Sequence, residues 1–62
     1  MPKLHKFYEL VSRTAHVALT EKETGAACFV GYLKDIPDCY DGWGVADFSI
    51  SNDGKFVFLI SK

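Results

Sequence analysis

The run Val45-Ala46-Asp47-Phe48-Ser49-Ile50-Ser51-Asn52-Asp53-Gly54-Lys55-Phe56-Val57-Phe58-Leu59-Ile60 decides the fold. Its first half alternates apolar and polar residues with period two, the pattern of a half-buried strand. Its second half is rich in strand formers, and Asn52-Asp53-Gly54 between them is turn chemistry. Loop length then sets the register. A two-residue Asp53-Gly54 loop would put Ile50 opposite Val57 and Phe48 opposite Leu59, leaving Phe56, Phe58 and Ile60 facing Ser51, Ser49 and Asp47. A three-residue loop with Gly54 left-handed pairs Ile50 with Phe56, Phe48 with Phe58 and Ala46 with Ile60. One face then becomes wholly apolar. A one-residue slip exchanges the faces, so the pattern selects the three-residue loop. Gly54 is its structural turn residue, because glycine takes positive φ without steric cost.

The second face of this hairpin carries Ser51, Ser49, Asp47 and Lys55, but also Val57 and Leu59. A chain of 62 residues builds two layers and not three. Val57 and Leu59 therefore await a cover, either from the N-terminal segment or from a partner or second copy of the chain.

Upstream, Ala15–Thr20 and Ala26–Leu33 flank a charged loop that closes at Gly25, which reads as a second hairpin. A helix running through Glu23 with Gly25 as its C-cap is the competing reading, weakened by Thr14, Val17, Thr20 and Thr24. Residues 3–13 stay open. Leu4, Phe7, Tyr8 and Val11 follow helical spacing and Pro2 suits a first helical turn, yet the same residues are good strand formers. The fold expected is mainly β, a small antiparallel sheet of two hairpins with four to five strands. The alternative is α+β, with a short N-terminal helix packed on the sheet. Residues 1–62 form a single small domain.

Residues 34–44 link the hairpins, a long connection for so small a domain, and long loops are often functional. Tyr40 and Trp43 stand there among Asp35, Asp38 and Asp41. Aromatic anchors rimmed by charge suit a recognition surface, so these five are the candidate partner-binding residues. The competing fate of Trp43 is to fold back and cap the core, with Gly42 and Gly44 letting the chain turn.

Composition narrows the function. Seven Lys and Arg against eight Asp and Glu leave a net charge of −1, without the basic excess by which phosphate-binding proteins gain affinity. The N-terminus has no signal-peptide run, and no stretch is long and apolar enough to span a membrane, so no membrane role is expected. The chain begins with Met and reads as a complete cytoplasmic protein, in the host cytoplasm if the source is viral. Cys28 in an apolar run and Cys39 in a polar loop are then expected as reduced thiols. With His5 and His16 they lack the short paired spacings of a zinc site, and Asp35, Asp38 and Asp41 lack the pattern of a calcium loop. No nucleophile stands at a spacing that implies an adjacent base, and no glycine loop cradles phosphate. The reading includes no catalytic residue, no cofactor and no metal.

Lys22–Gly25 followed by Cys28-Phe29-Val30-Gly31-Tyr32 resembles the hairpin between the second and third strands of the RNA-recognition motif. The opening basic residue and glycine–aromatic alternation of that motif are missing, and the chain is too short for its two crossover helices, so the family is not assigned. The function expected is a small non-enzymatic accessory protein, of phage or bacterial type, that binds and inhibits or modulates a larger protein. The alternative is a homodimeric β-sheet module that binds single-stranded nucleic acid.

Overall fold

A computed structural model describes residues 1–62. Four strands, β1 (His16–Glu21), β2 (Ala27–Tyr32), β3 (Gly44–Ile50) and β4 (Phe56–Ser61), form one sheet in the order β2-β1-β4-β3. Both expected hairpins are present. The C-terminal one has the three-residue loop: the Ser51 N–H donates to the Lys55 carbonyl at 2.8 Å, and Gly54, at φ +89°, donates back to Ser51 at 3.0 Å. Gly25 closes the first hairpin at φ +73°.

Ile50 faces Phe56 and Phe48 faces Phe58, as the apolar pattern requires. Farther from the turn the expected pairing of Ala46 with Ile60 is wrong by one residue. The register shifts between Val45 and Asp47, so Ala46 is the extra residue of a bulge and Val45 meets Ile60. The shift has a packing reason: it turns the larger Val45 into the core and leaves the small Ala46 exposed.

The hairpins join through β1 and β4, which run parallel, with Val17 beside Phe56 and Leu19 beside Phe58. The sheet is thus mixed and not wholly antiparallel. This pairing aligns the two buried faces, so that Val17, Leu19, Phe58 and Ile60 form one fully buried patch. It also dictates the connection. The chain leaves β2 at one edge and must enter β3 at the other, across three interstrand gaps or about 14 Å.

The linking segment makes that crossing over the apolar face and is no plain loop. It holds two short 3-10 turns, Leu33–Asp35 and Asp38–Tyr40, and buries Leu33 and Ile36 against the sheet.

The N-terminal segment completes the same layer. It is neither a fifth strand nor an α-helix but a 3-10 turn, Leu4–Phe7. Leu4 is fully buried, and the Phe7 ring meets Phe58 edge-on at 5.4 Å. Its backbone is sewn down at both sides: Leu4 N–H to the Trp43 carbonyl at 2.8 Å, and Val45 N–H to the Pro2 carbonyl at 2.7 Å. Both non-sheet segments therefore lie on one face, and the face of Val57 and Leu59 has no cover from this chain.

Candidate functional site

The linking segment divides its expected binding residues between core and surface. Tyr40 and Trp43 are half-buried, pack against the hydrophobic core and meet edge-to-face at 5.1 Å. The Lys62 Nζ lies 5.6 Å from the Trp43 ring centre, a cation–π contact on its outer side. These rings therefore cap the core, the competing fate expected for Trp43. Asp35 and Asp38 are exposed. Asp41 is half-buried, and its Oδ1 accepts the Tyr8 hydroxyl at 2.6 Å.

That hydrogen bond ties the first 3-10 segment to the linking segment. The Tyr8 phenol is pushed well above the ordinary tyrosine value, first by burial, then by the bond to Asp41 and the negative charges of Asp41 and Asp38. Removing its proton would leave two like charges at hydrogen-bond distance.

Beside this pair opens a cavity of about 260 Å3, floored by Leu33 and Ile36. Arg13 and Lys34 line it with Tyr8, Asp38 and Asp41. Lys34 N–H donates to the Arg13 carbonyl at 3.0 Å, which joins the two backbones, while the Lys34 Nζ lies 5.8 Å from the Tyr32 ring centre. Asp41 N–H donates to the Asp38 carbonyl at 3.0 Å, closing the second 3-10 turn of the linking segment. Sequence reasoning found the acids but not Tyr8, Arg13 or Lys34. No local signal marks them, because the cavity forms only when residues 8, 13 and 33–41 converge.

The second candidate surface is the uncovered sheet face. Register alignment sets Val30, Ala18, Val57 and Ser49 in one row across all four strands, with Thr20, Leu59 and Asp47 in the next. Val57 and Leu59 are half-buried, while Val30 is 57% and Tyr32 44% exposed at the β2 edge. The outer edge of β2 has no strand beside it, whereas the start of β3 is met by a bridge between Lys3 and Gly44.

A third apolar feature lies on the covered face, at the turn end of the C-terminal hairpin. Phe7, Phe48 and Phe56 stack there, with ring centres 6.1 and 5.6 Å apart, and Phe48 and Ile50 remain 39% and 62% exposed.

Cys28 and Cys39 are both free, the first half-buried against the core and the second exposed. No three His, Cys, Asp or Glu side chains converge as a ligand set. No helix of the chain is long and apolar enough to cross a membrane. Comparison with protein-family models, with curated proteins and with solved structures finds no match in any of the three. Function is therefore argued from the surfaces themselves.

Proposed function

We propose that the chain is a small non-enzymatic cytoplasmic protein that binds a larger protein and inhibits or modulates it. One observation carries the reading: the sheet face opposite the core sets Val30, Ala18, Val57 and Leu59 together, bordered by Ser49, Thr20 and Asp47, and neither non-sheet segment packs on it. The row Val30, Ala18, Val57, with Leu59 beside it, offers a flat apolar surface bordered by the open β2 edge. Exposed apolar patches on small proteins mark interaction sites, and an unpaired edge accepts a strand from a partner.

The test is affinity capture of the tagged chain from its native lysate, with and without nuclease, comparing wild type with Leu59→Lys. One stoichiometric protein that survives nuclease and is lost with Leu59→Lys supports the reading. Capture that vanishes with nuclease, or that ignores the substitution, overturns it.

A second reading uses the same face to pair two copies. No charged side chain lies in the Val30–Ala18–Val57–Ser49 row, so a second copy would approach without like-charge repulsion at that centre. In such a dimer the stacked Phe48 and Phe56 rings supply a platform for the bases of a single-stranded nucleic acid. Sedimentation of the purified protein separates the two readings, since only the second requires a dimer without partner.

A further inference from the structure

The two edges of the sheet are built differently. The β3 edge is closed along most of its length. The N-terminal segment lies along its start, where the Val45 N–H donates to the Pro2 carbonyl and Lys3 bridges to Gly44. Farther on, the bond from Ser51 to Lys55 fixes the alternation of the ladder, so the amides of Phe48 and Ile50 point away from β4. The Phe48 N–H is taken by the Asp47 carboxylate at 2.8 Å, which also sets a charge on that edge. The β2 edge has none of these devices. Its sequence, Ala27-Cys28-Phe29-Val30-Gly31-Tyr32, holds no charged residue and no proline, and no segment of the chain pairs beside it. The Leu33 N–H donates to the Ala15 carbonyl, so the same alternation turns Phe29 and Gly31 toward β1. The N–H and C=O groups of Val30 and Tyr32 then point outward. The bulge of this hairpin lies at the other end, between Leu19 and Thr20, and leaves residues 29–32 regular.

We propose that two copies of this chain pair through β2, antiparallel about a two-fold axis at Gly31, and so form one continuous eight-stranded sheet. The occupant is a second copy because the strand matches itself in side chains as well as in backbone. This register sets Val30 opposite the second copy's Tyr32, and Tyr32 opposite its Val30. Each such pair exchanges two hydrogen bonds, so all four outward groups of each copy are satisfied. On the bare face each pair puts a β-branched side chain against an aromatic ring, a favourable cross-strand combination. Both side chains are exposed in the single chain, and the Tyr32 ring is already held, with His16 at 4.6 Å and the Lys34 Nζ at 5.8 Å. Gly31 meets its counterpart at the narrow position, where Cα atoms approach to about 4.5 Å, and it brings no side chain to hold them apart. The antiparallel sense also carries the two Lys34 to opposite ends, about 20 Å apart along the strands. That is well beyond the ~8 Å over which charges act in physiological salt. The pair leaves the Val57 and Leu59 faces of both copies side by side and uncovered. It therefore stands independently of the protein-binding reading, and either can fail alone.

The test joins sedimentation of the purified full chain with amide hydrogen exchange, both across a hundredfold dilution. A dimer that dissociates on dilution is expected. In the concentrated sample the amides of Val30 and Tyr32 should exchange at least about tenfold more slowly than in the dilute one, while Phe29 and Gly31 stay slow in both. Val30→Pro deletes an outward N–H that β1 does not use, so it should give a folded monomer. Val30→Lys, which keeps that N–H but charges the edge, should weaken pairing at least about tenfold. Leu59→Lys should leave the dimer intact, whereas a dimer joined through the uncovered faces would be lost with it and would survive Val30→Pro. Sedimentation of Val30→Pro, with edge pairing gone, then reads the uncovered face alone. A monomer at every concentration would overturn the proposal. So would a dimer whose Val30 and Tyr32 amides exchange freely, or one that survives Val30→Pro.

Discussion

Gly54 stands at φ +89° with open space where a Cβ would project, so a side chain there meets no clash and only the backbone conformation resists it. Left-handed backbone costs an L-residue about 1–2 kcal/mol. For a domain of this size that predicts a fall in Tm of roughly 4–16 °C for Gly54→Ala. Gly54→Val should fall further, since branching at Cβ tolerates this region least, and Gly54→Asn should recover part of the loss. An unchanged Tm for Gly54→Val would contradict the bulged turn. One residue earlier, the Ser51 hydroxyl donates to the Asp53 carboxylate, and the Lys55 N–H lies 3.4 Å from it. These bonds, the first above all, hold the carboxyl of Asp53 below its ordinary value. A carboxyl with a lowered folded pKa contributes stability above its unfolded pKa of about 3.9, and that stability is lost as pH falls through the folded value. Asp53→Asn should therefore lower Tm at neutral pH and flatten its decline in acid, as melts across the acid range would read. Tyr8 has the opposite sign. Its raised value keeps the phenol protonated in the fold where the unfolded chain ionises, so its contribution holds below about pH 10 and is lost as pH rises toward the folded value. Absorbance titration should show a late-ionising phenol in the wild type that Tyr8→Phe lacks. None of these partners except the Asp53 turn is legible locally, because Tyr8 and Asp41 lie 33 positions apart.

Among the elements, the C-terminal hairpin was the most readable, because alternation and turn chemistry agree with one another over Phe48–Phe58. Its error at Ala46 shows where such reading ends. A bulge is chosen by what must fill the core beneath the strand, here Val45, and that space is shaped by the N-terminal and linking segments. The same holds for residues 3–13, whose helical spacing was real but whose 3-10 form follows from being stitched to Trp43 and Asp41 by backbone bonds from Leu4 and His5. Tyr40 and Trp43 illustrate the converse: their residue type suggested an interface, while the need to roof the core claimed both rings. Phe58 sits where the elements meet, fully buried beneath Phe7 and between Phe48 and Leu19. Phe58→Ala should cost about 3–5 kcal/mol, comparable with the total of roughly 3–9 kcal/mol expected for a domain of this length. Chemical denaturation should find that variant largely unfolded. Leu59→Lys, on the neighbouring but uncovered side, should fold with a Tm near that of the wild type.

Across the whole molecule, a sheet with one layer on it and a partly apolar second face is an incomplete sandwich. The sequence already carried that imbalance in Val57 and Leu59, but not which side the N-terminal segment would choose. If a second copy completes it, Tm should fall on dilution; a constant Tm across a hundredfold dilution would leave the face free for another protein. The parallel meeting of β1 and β4 has a further consequence, in time. Each hairpin closes locally, within microseconds for such structures. Val17 and Phe56, by contrast, lie almost forty residues apart, so docking one hairpin on the other closes a long loop before any of its contacts repay the entropy. That docking should limit the folding rate. On a ribosome the first hairpin can form while residues 56–61 are still to come, but the middle of the sheet cannot. Until the last strand emerges, the nascent chain exposes the apolar side of β1, and its need for a chaperone should be greatest then.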